Sequence, residues 1–220
     1  MLRTRLLFEK TGRAQYISHL DLLRTFQRVF LRAGIRLRHT EGFNPHPYLS
    51  FALPLPVGSE SLCELLDFDL AEDIDLGALP ARLNAKMPEG IRAVKAYRPE
   101  TKFADLAYIR VEGAFFYDAG VPGGTVDKLA ALFREKTLVI SKKSKKGFVD
   151  FDIAPCVQSI LFTPEGFDRL AVRAVITAQN PALNPENLVA AVRTHLPSCT
   201  PDFASFKRLE VLRRDNNVFR

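Results

Sequence analysis

Arg24, Arg28 and Arg32 stand at i, i+4 and i+8 of one periodic stretch, so a helix aligns them as a single cationic stripe. A guanidinium donates two parallel hydrogen bonds, which suits a phosphate. Lys142, Lys143, Lys145 and Lys146 put four ammonium groups in five residues, a second anchor for a polyanion. Between them in sequence, residues 42–58 combine four prolines with Phe43, Asn44, His46 and Tyr48. Prolines restrict the unfolded segment and lower the cost of holding an amide, an imidazole and two rings in place. Phe43 and Tyr48 can stack on a base, and Asn44 and His46 can hydrogen-bond its edge. His19 and His46 can also be read as an acid–base pair for metal-independent RNA cleavage. That reading needs their ring nitrogens within roughly 6–8 Å, flanking one phosphate. His19, His39 and His46 with Asp21 hold donors for a zinc-like ion, although their spacing fits no zinc motif.

These residues need elements to position them. Ser18 and Asp21 have the spacing of a capping box. Leu22, Leu23, Phe26, Val29, Phe30 and Ala33 recur at three and four residues and predict a buried helix face. Gly34 is the expected stop. Arg5–Glu9, Ile35–Arg38, Leu62–Leu70 and Ile91–Tyr97 read as strands, with a second helix over Leu76–Met87. The prolines of residues 42–58 exclude a helix there, and the segment is expected to lie against the first helix. It should form one wall of a cleft, with Asn44 and His46 directed toward His19. The second half repeats the order, with strands at Tyr108–Tyr117, Thr137–Ser141, Phe148–Ile153 and Phe206–Leu212. Its helices are Thr125–Glu135 and Pro185–Leu196, and an inserted hairpin is placed at Ser159–Thr163 and Arg169–Thr177. The fold class is therefore α+β: two tandem ferredoxin-like (βαββαβ) units with antiparallel sheets, spanning residues 1–100 and 103–220.

The chain has 220 residues, 47% hydrophobic and 25% charged, with a net charge of +6. Residues 1–50 carry nine Lys/Arg against three Asp/Glu, and residues 121–220 carry fifteen against ten. Residues 51–120 carry seven against twelve, so two basic zones flank an acidic one. No apolar run reaches the roughly 18 residues of a membrane span, and the expected location is the cytoplasm. Cys63, Cys156 and Cys199 are too scattered for a disulfide framework or an iron–sulfur cluster. No phosphate loop, dinucleotide fingerprint or nucleophile elbow is present.

Several segments carry a family likeness. Tyr16-Ile-Ser-His-Leu-Asp-Leu-Leu-Arg24, Arg32-Ala-Gly34, Glu41-Gly-Phe-Asn-Pro-His-Pro-Tyr-Leu-Ser-Phe51 and Leu55-Pro-Val-Gly58 resemble the bacterial radical-SAM-linked family of unknown function. Asp150-Phe-Asp-Ile-Ala-Pro155 is similar to that family's Asp-Ile-Arg-Pro segment but has Ala154 in place of the usual arginine. The resemblance implies a radical SAM protein as partner. The iron–sulfur cluster and S-adenosylmethionine are then expected in that partner and no cofactor in this chain. The basic, His-bearing first helix on a tandem ferredoxin-like pattern is also similar to repeat-associated RNA-binding proteins of CRISPR systems. The expected function is a non-catalytic RNA-binding accessory module that presents tRNA or rRNA to the radical SAM partner. Neither membrane contact nor DNA specificity is expected. A protein-binding scaffold without RNA affinity and the His19/His46 ribonuclease are the alternatives.

Overall fold

Strand β1 (Leu2–Lys10) opens the first of two compact units, which runs to Asp105 and takes in Arg220; the second is Leu106–Phe219. The computed structural model describes residues 2–144 and 147–220. The fold is α+β, with a mostly antiparallel sheet and four α-helices among the described residues.

In the first unit β1 is followed by α1 (His19–Arg32), β2 (Leu49–Phe51), β3 (Glu60–Leu70), α2 (Leu79–Asn84) and β4 (Ile91–Tyr97). β1 lies between β4 and β3, antiparallel to both, and the short β2 also pairs with β3. One face of this sheet carries Leu6, Phe8, Leu66 and Phe68, which pack on Leu22, Phe26, Val29 and Phe30 of α1. The aromatic rings set the approach: Phe8 meets Phe26 edge-on at 4.8 Å, and Phe30 meets Phe68 at 4.7 Å.

Both ends of α1 are fixed by local chemistry. The Ser18 hydroxyl accepts from the Asp21 N–H at 3.2 Å and donates to the Asp21 carboxylate at 2.7 Å. That bond, and after it the Arg24 guanidinium, holds the Asp21 carboxyl below its usual range. Ser18→Ala is expected to lower stability by about 1 kcal/mol, while Ser18→Thr retains most of it. Thermal unfolding of the two variants tests this, and equal melting temperatures would refute it. At the other end Gly34 is left-handed (φ 65°). The Ile35 N–H reaches the Phe30 carbonyl at 3.0 Å and the Gly34 N–H reaches Leu31 at 3.1 Å. This paired C-terminal stop presses Ile35 against Phe30, and both are buried.

Two expectations for this unit change. Ile35–Arg38 is not a strand; only isolated bridges form, Leu37 with Leu70 and His39 with Pro47. The second strand is instead Leu49–Phe51, after the first pair of prolines, where a three-residue run on β3 needs few donors. Leu23 and Ala33 are half-buried and not fully buried as the periodicity predicts.

The sheet also buries charge. Arg5, fully buried, donates to both oxygens of Asp67 at 2.7 and 2.9 Å, and to the Thr101 hydroxyl and carbonyl at 3.0 Å each. Its guanidinium lies 4.5 Å from the centre of the Phe103 ring.

The second unit contains β5 (Tyr108–Phe116), α3 (Thr125–Leu132), β6 (Val139–Ser144), β7 (Gly147–Asp152), β8 (Val157–Pro164), β9 (Arg169–Thr177), α4 (Glu186–His195) and β10 (Phe203–Leu212). Its main sheet has the order β10–β5–β9–β8, and β6–β7 is a separate two-stranded sheet. The sequence reading had these roles reversed, with β8 and β9 as the insertion. Burial explains the exchange. β9 sinks Leu170, Val172, Ala174 and Ile176 into the core, whereas every residue of β7 is exposed or half-buried. The hairpin is tied down at its base. Asp152 accepts from the Leu138 and Ala154 N–H groups at 2.7 and 3.0 Å, and His195 Nε2 donates to the Val139 carbonyl at 2.7 Å. Cys63, Cys156 and Cys199 are buried, and none forms a disulfide among the described residues. Among the described residues no helix is long and apolar enough to cross a membrane.

Candidate nucleic-acid interface

The C-terminal stop of α1 directs the chain into a narrow ribbon. The Arg38 N–H donates to Asp69 at 2.8 Å and the Tyr48 N–H to Arg38 at 3.2 Å. The Thr40 N–H donates to His46 at 2.9 Å, which closes the turn of residues 41–45. Phe43, at that turn, is fully exposed, and Asn44 is exposed beside it.

Between this ribbon and the second half of α1 runs a groove of about 720 Å³. Phe30, Ile35 and Leu37 form its apolar floor, Pro45 and Pro47 stand on the ribbon side, and Leu31 rises from the helix. Its polar groups are Gln27, Arg28, Arg36, His39 and His46. That size and this ratio of apolar to polar lining suit a small organic group rather than an ion.

The arginine stripe lies along the exposed side of α1. Arg24 pairs with Asp21 at 3.1 Å. Arg28 and Arg32 form no ion pair within 4.0 Å among the described residues, so their charge is available to an external anion. Arg28 belongs to both the stripe and the groove. Arg36 enters the groove already paired with Glu72 at 2.7 Å.

The tautomers of the two groove imidazoles follow from their partners. His39 Nδ1 lies 3.2 Å from the Leu37 carbonyl. His46 Nδ1 lies 3.1 Å from the Asn44 carbonyl and 3.2 Å from the Thr40 hydroxyl. A carbonyl oxygen only accepts, so Nδ1 carries the proton in each ring, and each neutral ring has an acceptor at Nε2.

The expected site residues are thus distributed as follows. Arg28 and His46 meet at the groove, with Phe43 and Asn44 on the adjoining turn. Tyr48 is half-buried, with the Arg3 guanidinium 5.0 Å from its ring centre. Lys142 is exposed on β6, with its ammonium 5.0 Å from the Phe151 ring centre. Lys143 takes part in the β6–β7 ladder opposite Phe148. Lys145 and Lys146 lie outside the described residues. Sequence reasoning missed Gln27, read Arg36 only as added positive charge after the helix stripe, and weighed His39 only as a metal ligand. Arg36 sits in a segment read as a strand and His39 directly follows it; the helix stop at Gly34 was the signal that the next residues fold back over α1.

His19 and His46 line different cavities. His19 occupies the first turn of α1, some 8–12 residues from the groove wall, a separation of roughly 12–18 Å along the helix. It lines a different, small crevice with Lys10, Glu64 and Phe51. There the buried Lys10 donates to the Gln15 carbonyl at 3.0 Å. Burial pushes its ammonium pKa down, and Glu64 partly offsets this. Among the described residues no three His, Cys, Asp or Glu side chains gather as a metal cluster, so His19, His39, His46 and Asp21 do not form one.

The sequence profile described as "Uncharacterized protein conserved in bacteria (DUF2344)" matches residues 3–185. The chain belongs to the DUF2344 family. The DUF2344 match takes in α1, the ribbon and every groove residue, and it ends just before α4. No curated protein matches the chain. A crystal structure of an unknown protein from Galdieria sulphuraria is similar at 10% identity and a TM-score of 0.27, over 94% of this chain and 98% of that one. A likeness at that level carries no argument about this DUF2344 member.

Proposed function

We propose that this chain is a non-catalytic RNA-binding accessory module that presents tRNA or rRNA to a radical SAM enzyme. The single observation that supports RNA contact is the position of Arg28. It belongs at once to a phosphate-spaced stripe and to an apolar-floored groove, so a phosphate on the stripe and a base in the groove are neighbours along one strand. In this reading Arg24, Arg28 and Arg32 contact phosphates, as do Lys142, Lys143, Lys145 and Lys146 on the second unit. Phe43, Asn44, His46 and Tyr48 contact bases. The partner holds the iron–sulfur cluster and S-adenosylmethionine, and this chain supplies position and no reacting group. Both units are read as ferredoxin-like, the first with a shortened second strand and the second with β6–β7 inserted. The strand order β10–β5–β9–β8, with a helix after β5 and another after β9, supports that assignment for the second unit.

A filter-binding titration with a tRNA at several salt concentrations tests the proposal. Three arginine–phosphate contacts on single-stranded RNA predict that log K falls with log salt at a slope of about −2 or steeper. Absence of affinity, or an affinity indifferent to salt, would remove it.

A further inference from the structure

We infer that the groove selects single-stranded RNA through an unpaired base bearing an exocyclic amino group; this rests on the RNA-binding reading above. The floor of Phe30, Ile35 and Leu37 is apolar and continuous with the core, so it accepts the face of a flat ring and offers it no competing hydrogen bonds. The charge lies on the α1 side, where Arg28 can hold the phosphate attached to that ring's nucleotide. Such a ring must first leave its stack. In A-form duplex RNA the bases stay paired and stacked, so a duplex offers phosphates, 2′-hydroxyls and minor-groove edges but no ring face to insert. Phe43, fully exposed on the turn, supplies a stacking face for a base next to the inserted one.

The choice among bases follows from the imidazoles. Both rings hold their proton on Nδ1 against a backbone carbonyl, so the neutral forms of His39 and His46 each carry an acceptor at Nε2. Two acceptors in one groove match the N–H donors of an exocyclic amine. Adenine, cytosine and guanine have that amine and uracil does not. Cytosine and uracil are the sharpest comparison. They share size and stack similarly, and at position 4 one carries a donor amine where the other carries an acceptor oxygen.

The test is competition for binding among ten-nucleotide oligo(C), oligo(A) and oligo(U) and an RNA duplex of equal phosphate count. It is run at fixed salt and at pH 8. Oligo(C) and oligo(A) are expected to compete roughly three- to tenfold better than oligo(U), the range of one net hydrogen bond, and the duplex worse than either. The double variant His39→Phe, His46→Phe keeps a planar aromatic ring without an acceptor and should bind oligo(C) and oligo(U) alike, with the salt slope unchanged and the circular dichroism spectrum intact. If oligo(U) or the duplex competes as well as oligo(C), or the double variant still prefers oligo(C), the inference falls and RNA binding stands. Should no oligonucleotide bind in a salt-sensitive way, both fall.

Discussion

Asp67→Ala is expected to destabilise the protein by about 3–5 kcal/mol, the cost of breaking a buried ion pair by removing one partner. Asp67 takes two of the N–H donors of Arg5, and the side chains are 9% and 1% exposed. Alanine removes that acceptor and leaves a guanidinium in a site from which water is largely excluded. The Thr101 hydroxyl and carbonyl remain, but they are neutral and occupy other donors. The Glu9–Arg92 pair is the control. It is also bidentate, at 3.0 and 2.8 Å, but Arg92 is 63% exposed. Glu9→Ala should shift the unfolding midpoint far less, because an exposed pair is screened by water. Urea unfolding of both variants reads the difference. Equal midpoint shifts would show that the Arg5 site is wetter than its burial implies.

Reversing the helix stripe should have the largest effect on binding. The triple variant Arg24→Glu, Arg28→Glu, Arg32→Glu replaces three phosphate contacts with three repulsions, and its RNA affinity should fall by about two orders of magnitude at low salt. The effect should be unequal among single variants. Arg24 is already engaged by Asp21, so Arg24→Glu should be mildest. Arg28 serves stripe and groove together, so Arg28→Glu should be most severe. All three side chains are exposed, and the melting temperature should move little. Undiminished RNA affinity in the triple variant would discard the stripe as a contact surface.

The parts of this fold legible in the sequence are those whose signals are local. α1 announces itself three times over, by the Ser18–Asp21 cap, the Leu22–Phe30 periodicity and the Gly34 stop. The long strands β3, β4 and β5 carry enough apolar residues to be read directly. What could not be read is pairing. β6–β7 and β8–β9 are both strand–turn–strand patterns, and the choice of which pair joins β5 depends on a burial load that shows only once neighbours are assigned. Arg5 in a strand looks like an ordinary surface charge until Asp67 arrives opposite it from sixty-two residues away. The site divides in the same way. The arginine stripe is a property of one helix and was visible. The groove is a property of a helix and the chain that folds back across it, and Phe30, Arg36 and His39 acquire their roles only through that return.

The central place of β1 also has a consequence in time. Leu6 faces Leu66 on one side and Ala96 on the other, sixty and ninety residues further along. On a ribosome adding about 5–20 residues per second, the strand made first waits roughly 5–20 s for its second neighbour to exist. Until β3 emerges, Leu6 and Phe8 have no strand to pair with. The partner within reach is α1, which follows almost at once and caps itself. The Phe8–Phe26 contact is therefore the first piece of this core that the growing chain can close, and the sheet is assembled onto it afterwards.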